Sequence, residues 1–289
     1  MKPGIKKTVA ITGAGSGLGL EMALGFASKG YKVFGTTHTN SKSDAQKNIP
    51  ANLDITFAMV DITREVEVKN WATLVAAKLE NSGLDILINN AGVLTPGPME
   101  VLKLDAIRKE FEVNVFGSLS VIKEFLPALR TARGRIVQIG SMTGRFPLPF
   151  SGPSSASKAT MEAFADVYRT ELKPMSIDFV MVQPGNMLTG GPDKTAEQLK
   201  RVSDSMTAQQ NQVYGKHFGQ FAAALNKMQS SGLPAADAAA RVIEISEQTP
   251  APSRATVGKD AEEILQMVRI KSDKELDDFR TTLLNLDKI

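Results

Sequence analysis

Thr8-Val9-Ala10-Ile11-Thr12-Gly13-Ala14-Gly15-Ser16-Gly17-Leu18-Gly19-Leu20 is the stretch on which the fold turns, and Glu21-Met22-Ala23-Leu24 continues it. A short apolar run gives way to closely spaced glycines, and apolar residues at helical spacing follow. The order is strand, glycine turn, helix. Glycines let the backbone double back and approach a ligand closely, while the free N–H groups and positive dipole end of the helix favour a phosphate. The glycines of interest are Gly13, Gly17 and Gly19, separated by three residues and then by one. This departs from the general G-x-G-x-x-G fingerprint, whose last glycine would have to replace Leu18 or Leu20. On its own, such a turn is also compatible with an ordinary tight connection between a strand and a helix.

Working outward, β-type runs at residues 8–11, 32–36, 55–60, 86–88, 135–139 and 177–182 alternate with helical patterns at 17–28, 64–79, 104–130 and 155–173. Ile86-Leu87-Ile88 and Phe179-Val180-Met181-Val182 are apolar on both sides, as strands covered by helices on both faces must be. The expectation is an α/β, doubly wound parallel sheet forming a single domain over 1–289. After Pro184 the pattern changes. Residues 186–230, rich in Lys, Gln, Ser and Met, are expected to form a helical substrate lid, or else a surface insertion that binds nothing. A helix is predicted at 235–248, an edge strand at 254–257 and a charged, amphipathic helical tail at 258–289.

Composition narrows the classes of function. The 289 residues are 42% hydrophobic and 22% charged, and 34 Lys+Arg against 31 Asp+Glu leave a net charge of +3 without a basic block. Neither nucleic acid nor a membrane surface is therefore an expected partner. With no cysteine, and with His38 and His217 as the two imidazoles, thiolate chemistry is excluded and a metal site is not expected. The start lacks a signal-like apolar stretch, so a cytoplasmic location is expected.

Further motifs lie at the ends of the predicted strands: Asp61-Ile62 after the third, Asn89-Asn90-Ala91-Gly92 after the fourth and Pro184-Gly185 after the sixth. In open α/β sheets, ligands bind outside the carboxyl ends of the strands. Together with the glycine spacing, these motifs resemble the short-chain dehydrogenase/reductase family, of classical type, over roughly residues 7–190. The resemblance implies a Rossmann fold and a nicotinamide dinucleotide held by Gly13, Ser16, Gly17, Leu18 and Gly19 at the diphosphate. Thr37, His38, Asp61 and Ile62 would serve the adenosine, and Asn89, Asn90, Ala91, Gly92, Lys158, Pro184, Gly185 and Thr189 the remainder. An acidic residue at the end of the second strand would bind a ribose 2′-hydroxyl. Thr37 stands there instead, with His38, Asn40 and Lys42 nearby, which favours NADP(H) over NAD(H) although the usual arginine is missing.

The same resemblance implies a catalytic set. Lys158 lies in Ser155-Ala156-Ser157-Lys158-Ala159, Ser141 precedes it by 17 residues, and Asn114 lies in Asn114-Val115-Phe116-Gly117. The family's tyrosine should stand four residues before the lysine, but Gly152-Pro153-Ser154-Ser155 places Ser154 there. A phenol titrates near 10 and can be brought towards neutrality by an ammonium, whereas an aliphatic alcohol is far less acidic. A serine oxygen would also sit back from a carbonyl by roughly 4 Å, a gap that one water bridges. Tyr31 and Tyr168 are predicted to be structural. Tyr214 and His217, in the lid, are candidates for a substitute donor, with packing or exposure as the alternative. Asp166 is expected to be a helix-surface charge.

The expected function is carbonyl/alcohol interconversion on a lipophilic small molecule, impaired by Ser154. The alternatives are a non-redox enzyme on the same scaffold and a cofactor-sensing binding module. Met142, Phe146, Leu148, Phe150, Met187, Met206 and Phe218 could line an apolar pocket or belong to the core. The resemblance also implies a homodimer or homotetramer built through the long middle helices.

Overall fold

The computed structural model describes residues 6–38, 49–188, 192–284 and 286. Seven parallel strands form one sheet in the order β3-β2-β1-β4-β5-β6-β9, with β1 Thr8–Ile11, β2 Lys32–Thr37, β3 Ile55–Met59, β4 Ile86–Asn89, β5 Arg135–Ile139, β6 Asp178–Pro184 and β9 Arg254–Val257. The order reverses between β1 and β4, which leaves a crevice at their carboxyl ends. Two-residue periodicity sorts the core. Val9, Ile11, Val33, Ile86, Ile88, Val137, Ile139, Val180 and Val182 point to one face. Ala10, Phe34, Leu87, Ile136, Phe179 and Met181 point to the other.

Helices α1 (Gly17–Ser28), α2 (Glu65–Lys78), α3 (Leu104–Phe111), α4 (Ser118–Ala132) and α5 (Gly152–Leu172) connect the strands. The helix expected at 104–130 is thus divided, because a π turn at Glu112–Gly117 separates α3 from α4. Trp71 of α2 meets Phe125 of α4 edge-on at 4.7 Å, within the layer opposite α1. Tyr31 packs edge-on against Phe26 and donates to Glu247 Oε1 at 2.8 Å. Tyr168 stacks on Phe179. Both phenols are structural.

Beyond β6, α6 (Pro192–Asp204) and α7 (Ala208–Ser230) form the helix pair expected as a lid, and α8 (Ala235–Glu247), α9 (Lys259–Ile270) and α10 (Asp273–Leu283) complete the chain. Within the residues expected to be helical, Met187–Leu188 forms a short strand, β7, which pairs with Leu233–Pro234, β8. Phe218, Phe221, Leu199 and Leu225 of this helix pair form a small core with Leu284, and Phe150 packs against it. Met142 is buried against α9, while Phe146 and Leu148 are buried against α10. These three serve packing, and the tail is built into the molecule beside the site.

Candidate functional site

The glycine turn is held by side chains as well as by glycines. Gly13 has φ +65° and donates its N–H to Thr36 Oγ1 at 3.1 Å, while Ala14 N–H donates to Thr36 O at 2.7 Å. A Cβ on Gly19 would stand 2.1 Å from Gly13 O and 2.7 Å from Asn90 Nδ2, so the turn and the helix start touch where a methyl group cannot fit. Asn90 spans the crevice from β4: its Nδ2 donates to Thr12 O at 3.0 Å and Gly13 O at 3.2 Å. Thr12 Oγ1 accepts from Asn90 N and Ala91 N in return. Ser16 caps α1 from an extended conformation with its side chain exposed and no capping bond of its own. Gly17 begins the helix and Leu18 is buried beneath it. The N–H groups at this end are therefore available to an anion, and the cradle fits a diphosphate.

At the adenosine side, the hydroxyl Oγ1 of buried Thr37 has no partner in the protein. His38 is exposed beside Asp61. Burial pushes the Asp61 carboxyl up, but two hydrogen bonds from Thr63 and the charges of His38 and Arg64 outweigh it, and Asp61 titrates below its ordinary value. Ile62 is buried against Gly117 of the π turn. The proposed partners Asn40, Lys42 and Thr189 lie outside the described residues.

Around the reacting end, Asn89 is buried and donates to Ser118 O at 3.1 Å, leaving its Oδ1 unpartnered. Exposed Gly92 lies beside the Lys158 ammonium. That ammonium donates to Ile139 O at 2.9 Å, and burial pulls it down to about 8 from an ordinary 10.5. One of its three N–H groups is thereby engaged, so it retains donors for ribose hydroxyls. Ser141 Oγ accepts from Thr143 N at 3.1 Å and Thr143 Oγ1 at 2.9 Å. With both acceptances filled by the short 3₁₀ turn, its own O–H is left to donate to a substrate oxygen. Asn114 sits within the π turn, and this break in the helix lets it exchange bonds with Val93 N and O and donate to Ser157 Oγ at 3.0 Å. Ser157 in turn donates to Ser154 O at 2.9 Å. Half-buried Ser154 is in the first turn of α5, one turn before Lys158 and on the same helix face.

Four neighbours escaped the sequence reading. Thr12 and Thr36 look like strand residues, and only the folded turn reveals that they hold the glycines. Asp260 of α9 accepts from Asn186 N at 2.8 Å and Asn186 Nδ2 at 2.9 Å, fastening the Pro184-Gly185 strand end from 74 residues away. Glu110, fully buried, adjoins Asn114, Ser154 and Lys158. Its position four residues before Asn114 on a helical pattern was a usable signal, since one turn of helix brings the two side chains together. Of the substitute donors, Tyr214 is occupied: its hydroxyl donates to Glu100 Oε2 at 2.7 Å. His217 lies in α7 with a buried, unpartnered Nε2. Asp166 of α5 pairs with Arg169 on the same helix and with Arg254 of β9.

The fold and this arrangement define a dinucleotide-binding α/β protein. The sequence profile described as short chain dehydrogenase matches residues 7–200, and the chain belongs to that family. The rat mitochondrial D-beta-hydroxybutyrate dehydrogenase is 31% identical over 218 residues, covering 74% of this chain and 64% of that protein. The human 17-beta-hydroxysteroid dehydrogenase type 2 is 34% identical over 218 residues, covering 74% of this chain and 56% of that protein. The matched region thus spans less than two thirds of the length of these two relatives. A short chain dehydrogenase from Burkholderia cenocepacia, solved in complex with NADP, superposes with a TM-score of 0.71 at 23% identity, over 95% of this chain and 97% of that one. No helix among the described residues is long and apolar enough to cross a membrane.

Proposed function

We propose that the chain is a nicotinamide-dependent oxidoreductase that interconverts a carbonyl and an alcohol on a small molecule. The observation that carries this is Lys158. Its ammonium is fixed on Ile139 O beside Gly92 with donors to spare, at the crevice the glycine turn opens, and Ser141 keeps a free O–H nearby in the fold. A bound reduced dinucleotide would supply hydride. The protein's part is to hold the ribose through Lys158, to orient the carbonyl through Ser141 and to deliver a proton from the direction of Ser154. A pure binding module would have no use for the O–H that Ser141 leaves free.

NADP(H) is the proposed cofactor. Thr37 presents no carboxylate to a 2′-phosphate, and His38 is exposed beside it. The two lid helices are proposed to cover the substrate, since Gln198 of α6 donates to Leu94 O at 2.6 Å in the loop that follows β4. Phe116, Phe164 and Val167 are exposed to 56%, 36% and 52% along the π turn and α5, and support pairing of two copies through the middle helices. With a serine at 154 the proton-delivery step is slow.

The test is the Ser154→Tyr variant. Parent and variant are expected to bind NADPH alike, with carbonyl-dependent NADPH oxidation at least tenfold faster in the variant, a modest share of what a placed general acid contributes. Binding in both without any gain would count against the reading.

A further inference from the structure

Among the described residues, two glutamates are buried, and their surroundings differ. Glu162 is fully paired, accepting from Gln183 Nε2 at 2.8 Å and Arg254 Nε at 2.7 Å. Glu110, at the end of α3, is 0% exposed and has no such cation. Lys158, the titratable group that faces it from α5, directs its ammonium to Ile139 O instead. Glu110 Oε1 receives a long bond of 3.3 Å from Asn114 Nδ2, whose two hydrogens also serve Val93 O and Ser157 Oγ at 3.0 Å each. Glu110 Oε2 has no partner. Thr95, from the loop after β4, and Ser154, from α5, are its remaining polar neighbours.

A carboxylate so placed would be a buried charge met only by one long bond from Asn114 and by the pull of Thr95, Ser154 and Lys158, which burial outweighs. The neutral acid fits the same surroundings: Oε1 is the carbonyl oxygen that Asn114 reaches, and unpartnered Oε2 carries the proton. Burial accordingly pushes Glu110 above its ordinary value, against the pull of Thr95, Lys158 and Ser154. Serine at 154 cannot supply a proton from its own acidity, but a hydroxyl passes one on when it receives another in the same event.

We propose that Glu110 stores the proton for this site and delivers it to the substrate oxygen through the Ser154 hydroxyl, a slower route than the missing phenol would give. In the reducing direction the carbonyl carbon gains hydride from the reduced nicotinamide, and its oxygen takes the Ser154 proton, directly or through one water. The Glu110 proton replaces the one on Ser154, so no free alkoxide forms. Glu110 is left as a carboxylate and is reprotonated from bulk water. It is a positioning residue, acting on substrate only through Ser154. The inference rests on the oxidoreductase reading and deepens it.

Difference infrared spectroscopy on the unliganded protein tests the stored proton without turnover. A protonated-carboxyl band that survives above about pH 6, where ordinary glutamates are ionised, is expected in the parent, absent from Glu110→Gln and shifted by Ser154→Ala. A parent spectrum whose carboxyl bands all vanish with the ordinary acids overturns the proposal, and this readout stands even if Glu110→Gln fails to fold. In single-turnover reactions of bound NADPH with a panel of aliphatic and aryl ketones, Glu110→Gln is expected to lose at least tenfold in transfer rate. It should also lose the decline that the parent shows as pH rises, with Glu110→Asp restoring part of both and the NADPH dissociation constant unmoved. Transfer by Glu110→Gln at the parental rate and pH profile overturns the relay alone. Failure of the parent to bind NADPH or NADH overturns the oxidoreductase reading beneath it.

Discussion

Replacing Gly19 with alanine puts a methyl carbon 2.1 Å from Gly13 O, 2.7 Å from Asn90 Nδ2 and 2.9 Å from Gly13 C. Two of these three atoms are backbone of the turn itself. The turn has to open, and as it opens Asn90 loses its bonds to Thr12 O and Gly13 O. Overpacking of this kind costs about 1–3 kcal/mol. In a domain of this size each kcal/mol lowers the unfolding midpoint by about 2–4 °C. The same opening disperses the N–H groups that would bind a diphosphate, so the dissociation constant for NADPH should rise by a comparable free energy, about 5-fold to 150-fold. Gly219 is the control. It is exposed within α7, and a Cβ there meets nothing within 4 Å. Gly219→Ala should stabilise the protein by up to about 1 kcal/mol, the difference in helix propensity, without changing NADPH affinity. Thermal unfolding and fluorescence titration of both variants decide the matter. Gly19→Ala with parental midpoint and affinity would refute the close approach inferred for the turn.

Lys158 carries a stability signature. With its ammonium depressed to about 8 from 10.5, the unfolded chain binds more protons between those values, so the parent gains stability across that window as pH rises. Relative to Lys158→Met, which cancels the other lysines, the gain should approach about 3 kcal/mol by denaturant unfolding at the two ends of the window; a flat difference would contradict the burial argument. Asp260→Ala strips both acceptor bonds from Asn186, and a loss of about 1–3 kcal/mol in unfolding free energy is expected, measured the same way. Tyr214→Phe tests the rival proton donor: because its hydroxyl is held by Glu100, NADPH-dependent carbonyl reduction should stay within about twofold of the parent, less than 0.5 kcal/mol in barrier.

Much of this architecture was legible because sheets and turns write themselves locally. Runs such as Phe179-Val180-Met181-Val182 announce a strand buried on two faces, and Gly13, Gly17 and Gly19 mark a turn that only small residues permit. Less legible were features built by tertiary contact. The π turn at Glu112–Gly117 falls at Asn114, where the resemblance implies a kink, but the contact that fixes it, Asn114 with Val93, appears only in the fold. Met142, Phe146 and Leu148 follow β5 as pocket residues would, yet α9 and α10 return from the far end of the chain to bury them. Glu110 reads as one more charged residue in Arg108-Lys109-Glu110; its spacing from Asn114 places the two side chains together, and its burial appears only in the fold.

The most direct test of the central claim is a fluorescence titration of the parent chain with NADPH and with NADH. The account predicts saturable binding of both, with NADPH the tighter because Thr37 leaves the 2′-phosphate unopposed. No saturable binding of either would contradict it, since the turn, Asn90 and Lys158 would then be arranged around nothing.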